Sequence, residues 1–462
     1  MVGPPAGGLP EGALPLTGWR RTFSSLFGNR DFALLFTGSV GFFFAMSMMM
    51  LLRSWLVIQR WDDAALLGYT MAMMALPMLF LAPFAGVLTD RVDKRKLLLA
   101  AQLSLVVTNT VVAALILTDT IRYWHLLAVS GMSGAAFAFT MPGRQALVAI
   151  LVPHDRLLNA ISLSTATMNA SRIVAPTIAG LLVSPIGIGG AYIVSTVFYA
   201  CAVVATFALP AMPSRREREF TFFEDFVGGF SYIRRSSVLV GLLLFATVPM
   251  VFAMPYMTLL PVFADRVWDV GSAGLGVMQA AGGVGGLMAA FAVANLGAYP
   301  KKGRLLLGGA LAFGGFLILF ALSPSFYLAL VMLGAIGFGS MVVMTVNNTA
   351  IQLVIPDEVR GRVMSVMMMS FGLMPLGAVP ASIVAESTGV RPVVVVGGVL
   401  VIAAVLLLFA IIPSLRSLDR QLEEGREREQ ARRAALTDGE ATAQAMGAAE
   451  PMTANPAPSR AD

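Results

Sequence analysis

The chain has 462 residues, enough for two or three soluble domains, yet 57% of it is hydrophobic and only 13% is charged. A soluble protein carries about a quarter of its residues charged, so most of this surface must face lipid and a soluble fold is excluded. Lys and Arg outnumber Asp and Glu by 32 to 26, but the cations lie between apolar runs, which points to membrane topology and away from nucleic acid. One cysteine, Cys201, and two histidines, His125 and His154, leave no intramolecular disulfide and argue against a His/Cys metal site.

The chain opens with a Gly/Pro-rich tail, residues 1–30, that has no apolar segment and so does not read as a cleavable signal peptide. A helix crossing a hydrocarbon core of about 30 Å needs ~20 apolar residues. Twelve runs meet that length, near 32–58, 64–88, 97–118, 124–150, 157–183, 188–210, 238–263, 272–298, 304–323, 326–355, 363–386 and 390–412. They are too long for membrane strands and lack their alternation. The expected fold class is all-α integral membrane, with a six-helix bundle over 31–210 and a second over 238–412. Between them, 211–237 places Phe223, Phe226, Val227, Phe230 and Ile233 at helical spacing before Arg234 and Arg235. That pattern predicts an amphipathic helix on the inner membrane surface, with a short soluble linker helix as the alternative. A charged, disordered tail is expected over 413–462.

Of the 32 Lys and Arg, 25 fall on one side of this topology and only Arg60, Arg122, Arg266 and Arg391 on the other; Arg53, Arg144 and Arg172 lie inside spans. The positive-inside rule then puts both termini in the cytoplasm of a multi-pass cell-membrane protein. The halves also resemble each other. Leu151-Val152-Pro153-His154-Asp155 ends the fourth span and Val354-Ile355-Pro356-Asp357-Glu358 the tenth, and Ser162 and Ser365 follow at the same offset. Parallel repeats of this kind belong to transporters built of two bundles.

The sharpest local pattern joins spans two and three: Gly86-Val87-Leu88-Thr89-Asp90-Arg91-Val92-Asp93-Lys94-Arg95. It resembles the signature loop of the major facilitator superfamily, with Gly86, Leu88, Asp90, Arg91, Lys94 and Arg95 matching and Asp93 where a second glycine is usual. The resemblance implies that Gly86, Asp90, Arg91 and Arg95 form a conformational latch at the cytoplasmic helix ends. The corresponding loop of the second half, Ala298 to Arg304, keeps cations but has no aspartate, so any latch is asymmetric. Further pieces resemble the branch of enterobactin exporters and macrolide-efflux proteins. These are Asn29 to Phe32, Pro142 to Leu147, Ser171 to Pro176, and Arg360 to Ser365. The fold implied is the major facilitator fold, and the direction implied is export.

An ionised group inside a membrane costs at least ~2.5–3.5 kcal/mol on insertion scales, so Arg172, Arg144 and Arg53 each need a wet cavity or a partner. Arg172 stands near mid-membrane, for a cavity-facing role or a structural pairing with carbonyls. Arg144 and Arg53 lie nearer span ends, where snorkelling is the alternative. No Asp or Glu lies mid-span, which favours neutral, zwitterionic or anionic substrates. Asp265 and Glu386, toward the outer side, are the candidate coupling carboxylates. By the same resemblance, spans one, four, seven and ten line the pathway. This adds Gln145, Asn347, Asn348 and Gln352 to Arg172 and Asn169 as polar cavity candidates, with interhelical hydrogen bonding as the equal alternative. Met46, Met48, Met49, Met50, Met250, Met254, Met257, Met341 and Met344 fall on these spans, as an adaptable lining or as lipid-compatible filler.

Gly282-Gly283-Val284-Gly285-Gly286 is read as a close-packing stripe, since no strand or Lys-Ser/Thr makes it a nucleotide loop. No catalytic motif appears, so no enzyme and no cofactor are expected. The reading is a secondary-active transporter that exports a bulky amphipathic small molecule, drug-like or siderophore-like, with protons as the candidate coupling ion. An importer of an anionic nutrient in the same fold is the alternative, ahead of a membrane scaffold or enzyme. The expected partners are a small-molecule substrate and the bilayer, and a monomer is expected.

Overall fold

The computed structural model describes residues 29–211, 222–295, 301–355 and 371–420, with Val359, Val363 and Met367. Its longer helices are α1 (Arg30–Trp61), α2 (Ala64–Arg91), α3 (Lys94–Leu117), α4 (Tyr123–Leu151), α5 (His154–Phe207), α6 (Phe222–Arg235), α7 (Ser237–Phe252) and α8 (Pro255–Val262). A π-helical turn, Phe263–Val267, leads to α9 (Gly271–Asn295), α10 (Lys302–Ala321), α11 (Phe326–Val354), α12 (Met374–Thr388), α13 (Val390–Ile411) and the short α14 (Pro413–Arg416). Among the described residues no strand occurs, and ten helices are long and apolar enough to cross a membrane.

The expected fifth and sixth spans are the two arms of α5. A straight helix of its 54 residues would reach about 80 Å, more than twice a hydrocarbon core. The chain turns instead at Gly187, whose φ of 69° lies where residues with a Cβ are strained. Both ends of α5 return to one face of the bundle. Leu151, just ahead of it, accepts a 2.6 Å hydrogen bond from the Asn29 amide at the start of α1. At the far end, Phe207 O accepts from Arg95 at the start of α3. The expected eleventh span is described at Val363 and Met367 and then from Phe371 onward.

The repeat seen in the sequence has a structural counterpart. Helices α4 and α11 each have 29 residues and lie 203 positions apart at both ends, and each closes on an extended residue, Val152 and Ile355. The turns after α1 and before α9 also match, with Asp62 and Asp269 both left-handed at φ 49° and 48°.

Small residues set the packing. A Cβ on Gly285 or Gly337 would collide with the backbone of Gly334 or Gly282, so α9 and α11 touch along the glycine stripe. Gly134 meets the Met74 carbonyl in the same way, drawing α4 onto α2. Large apolar side chains such as Phe80, Val107, Phe291, Val331 and Leu407 are exposed on the outward faces, as lipid contact requires.

The linker helix spans Phe222–Arg235, with Ile233 buried and Phe230 exposed. One boundary differs from expectation. Residues 413–420 are not a loose tail, because Leu415 and Leu418 are buried. Asp419 also accepts a 2.6 Å bond from the Gly303 N–H, and Arg416 caps the Phe409 and Ala410 carbonyls at 2.6 Å each. The apolar pair and this capping arginine carry α13 into a short packed extension.

Candidate functional site

The bundle is shut at its cation-poor end. There α2 packs on α12, and a Cβ on Gly68 would come within 2.9 Å of the Ser382 Cβ. Alongside, the Ser272 hydroxyl donates to Gly180 O at 2.9 Å, and a Cβ on Gly276 would stand 2.7 Å from Pro176 O, so α5 and α9 are in van der Waals register. This contact uses the Ser171 to Pro176 segment that carries the exporter resemblance.

Across the same face lies a charge network that joins the halves. Arg266 donates from Nε to Asp62 Oδ1 at 3.0 Å and from Nη1 to Glu386 Oε2 at 3.2 Å, and its Nη2 also holds the Asp62 carbonyl. Glu386 in turn accepts the Ala64 N–H at 2.6 Å, at the start of α2, where Asp63 caps Ala65 at 2.7 Å. Arg266 and Glu386 of the second half thus grip the α1–α2 turn of the first. Asp265, the other coupling candidate, is half-buried beside Asp62 and Asp269 and makes none of these bonds. In the sequence Arg266 figures only in the count of cations, and Asp62 not at all; the signal is a lone cation amid Asp62, Asp63, Asp265 and Asp269.

Toward the cation-rich end, faces that are covered farther along become exposed. On α5, Val174, Ile178 and Leu181 are exposed along one line, the lipid-facing side. Arg172, Thr165, Ile161 and Leu158 are exposed on nearly the opposite side, about 160° away at about 100° per residue. That second line continues into Pro176 and Ala179, which are buried at the shut end. Arg172 therefore faces the interior of the bundle, with Asn169 half-buried one turn before it. On α11, Met344, Asn348 and Gln352 form a similar line, respectively exposed, half-buried and exposed. Gln145 of α4 is exposed, Met50 of α1 is 48% exposed, and Met46, Met250, Met254, Met257 and Met341 are half-buried.

Four expectations do not hold as stated. Asn347 is only 1% exposed, with its side-chain oxygen unpaired; about 100° of helix separates it from Asn348 and turns it into the packing. Met48 and Met49 are likewise core residues. Arg144 does not open on a cavity or snorkel. It is buried at 4% exposure between α1, α3 and α4, donating to Ser39 Oγ at 2.5 Å and Gly38 O at 3.2 Å over the Phe42 ring at 4.6 Å. With its amide oxygen turned inward, Gln102 accepts from Arg144 at 2.8 Å. Arg53 is also buried, donating to Ser133 Oγ at 2.8 Å.

Of the loop residues, the side chains of Gly86, Asp90 and Arg91 lie outside the described residues, as do Arg360 and Arg362. Arg95 crosses to the end of α5, stacking 5.2 Å over the Phe207 ring. Asp93, the departure from the signature, caps α3 by accepting the Arg95 N–H at 2.9 Å, so the extra carboxylate satisfies a free helix-end donor.

The chain is 25% identical over 363 residues to macrolide efflux protein A of Streptococcus pyogenes, covering 77% of this chain and 88% of that one. It is 23% identical over 397 residues to the staphyloferrin A transporter of Staphylococcus aureus, covering 83% and 98%. It is 26% identical over 285 residues to the enterobactin exporter EntS of Shigella boydii, covering 60% and 66%. Among solved structures, a bacterial homologue of the lysosomal transporter Spinster in an inward-facing, unoccupied conformation superposes with a TM-score of 0.67 at 14% identity, covering 86% and 98%. The nucleoside transporter NupG gives 0.66 at 14%, covering 83% and 98%; both show the shared fold. The profile described as transmembrane secretion effector matches residues 22–436, and the chain therefore belongs to that family of major facilitator transporters, a multi-pass membrane protein that moves small molecules and is not an enzyme.

Proposed function

We propose that the protein exports bulky amphipathic small molecules, drug-like or siderophore-like, from the cytoplasm by alternating access. The observation that carries this reading is the asymmetry of the two ends. The cation-poor face is shut by helix packing and the Arg266 network, while Arg172 is exposed on an inner face toward the cation-rich end. With 25 of 32 cations on that side, the positive-inside rule makes it cytoplasmic, with both chain termini there. The conformation is then inward-facing and ready to load.

The loading surface is Arg172 with Asn169, Gln145, Asn348 and Gln352, set among half-exposed methionines. Flexible thioethers adapt to several apolar shapes, and the arginine favours a neutral, zwitterionic or anionic ligand over a cation. The names of the efflux and siderophore relatives support this substrate class. Proton antiport supplies the energy, with Glu386 as the carboxylate whose protonation would release Arg266 and the α2 N-terminus together. Asp90, Arg91 and Arg95 act as the opposing cytoplasmic latch, and the chain works as a monomer.

Everted vesicles test direction and coupling together. Uptake driven by an inwardly acid gradient supports proton-coupled export. Uptake with no gradient dependence removes antiport, and accumulation only in right-side-out vesicles replaces export by import of an anionic nutrient. Asp90→Asn should cut turnover at least about tenfold with membrane insertion unchanged; wild-type turnover would remove the latch.

A further inference from the structure

Arg53 is a buried charge with no acidic partner among the described residues, and we propose that Arg53 and Tyr192, with Ser133 orienting the guanidinium, form a subsite for one negative charge. That charge comes from a carboxylate or phenolate of the carried molecule or from a free halide. The proposal rests on the cavity reading above and names the ligand chemistry at its inner end.

The three buried or interior arginines differ in how their charge is met. Arg144 has a hydroxyl, a carbonyl, an amide oxygen and a ring face. Arg172 stands on an exposed interior face. Arg53 is 8% exposed and makes a single good hydrogen bond, to Ser133. Its other terminal nitrogen faces Met74 Sδ at 4.0 Å, a weak acceptor, and its Nε has no partner. Beside it the buried Tyr192 hydroxyl lies within reach of the Arg53 guanidinium and makes no well-formed hydrogen bond to any other group. The Ser133 proton is already committed to Val129 O at 2.7 Å, leaving its oxygen to Arg53.

What converges here is therefore a set of donors around an unneutralised guanidinium, with no described carboxylate at this depth in α1–α5. Buried charges need a partner of opposite sign, and free donors call for an acceptor. An anionic group meets both demands. Met50, one turn nearer the cation-rich end of α1, is 48% exposed, whereas Arg53 is buried.

The test uses the purified full-length protein, with benzoate against benzyl alcohol and iodide against gluconate at fixed ionic strength. Thermal midpoint and tryptophan fluorescence are read, since Trp55 is buried two residues from Arg53. Benzoate should bind saturably and raise the midpoint where benzyl alcohol does not. Arg53→Lys should retain this difference, Tyr192→Phe should weaken it by roughly three- to tenfold, and Arg53→Met should abolish it. Saturation by benzoate alone identifies the carried molecule as the source, and saturation by iodide a free ion. Wild-type protein that prefers neither anion to its control overturns the proposal, as does Arg53→Met binding like wild type. Should Arg53→Met fail to fold, Tyr192→Phe decides, and unchanged benzoate affinity there overturns it. Binding reads no direction, so failure of the export reading in vesicles is separable from failure here.

Discussion

Arg144 and Arg172 carry the same side chain to opposite ends. Arg144 is a clamp: its planar fork reaches Ser39 and Gly38 while stacking on Phe42. Lysine cannot reproduce a fork and a stack together. Arg144→Lys should therefore lower the inactivation midpoint in detergent, corresponding to about 1–3 kcal/mol, without changing substrate preference. Arg172 has no hydrogen bond to another described residue and stands on an exposed interior face. Arg172→Gln should leave stability within about 0.5 kcal/mol but reduce transport of an anionic substrate about tenfold more than that of a neutral one. Equal losses for both, measured in vesicles, would discard its electrostatic role.

At the scale of helices, glycine does two different jobs. Gly285 and Gly337 join α9 to α11 within one half, whereas Gly276 lies where α9 meets α5 of the other. Overpacking costs about 1–3 kcal/mol, but the response depends on whether the neighbours can part. Gly285→Ala should destabilise the fold, because α9 and α11 have no second arrangement to adopt. Gly276→Ala should instead favour the state in which α5 and α9 separate. Maleimide labelling of Ser382→Cys, a fully buried position, distinguishes them. In a background with Cys201 replaced, Gly276→Ala should speed labelling from the outside and Gly285→Ala should not. The all-helical membrane class, the interhelical role of the glycine stripe and the cation asymmetry were readable in the sequence because they depend only on local hydrophobic length, charge and residue size. The break at Gly187 was expected as a boundary between spans, but its continuity as one kinked element needed the backbone.

For the molecule as a whole, the Arg266 network makes the shut face a poised contact. Its members are partly exposed, at 30% for Arg266, 74% for Asp62 and 38% for Glu386, and exposed pairs are individually worth about 0–1 kcal/mol. Held together with the α2 N-terminus, they can bias two states that differ by only a few kcal/mol. Asp62→Asn tests this with little disturbance, because Asn tolerates the left-handed backbone. It should raise Ser382→Cys labelling about threefold, with a smaller rise at high salt, where screening already weakens the pair in the parent. An unchanged labelling rate would leave helix packing alone as the closure.

Hydrophobic run length and charge placement suffice to make the chain a bundle of lipid-embedded helices, repeated about 203 residues apart, with one cation-rich side and arginines that lipid could not accommodate. Those properties are sums over neighbouring residues along one strand of chain. It takes the folded backbone to turn Arg172 inward while Arg144 is clamped, to put Asn348 and not Asn347 on the exposed line, and to bring Arg266 to Asp62 across 204 positions. Such choices turn on about 100° of helix rotation or on contacts between distant segments, and neither is encoded in local hydrophobicity or charge.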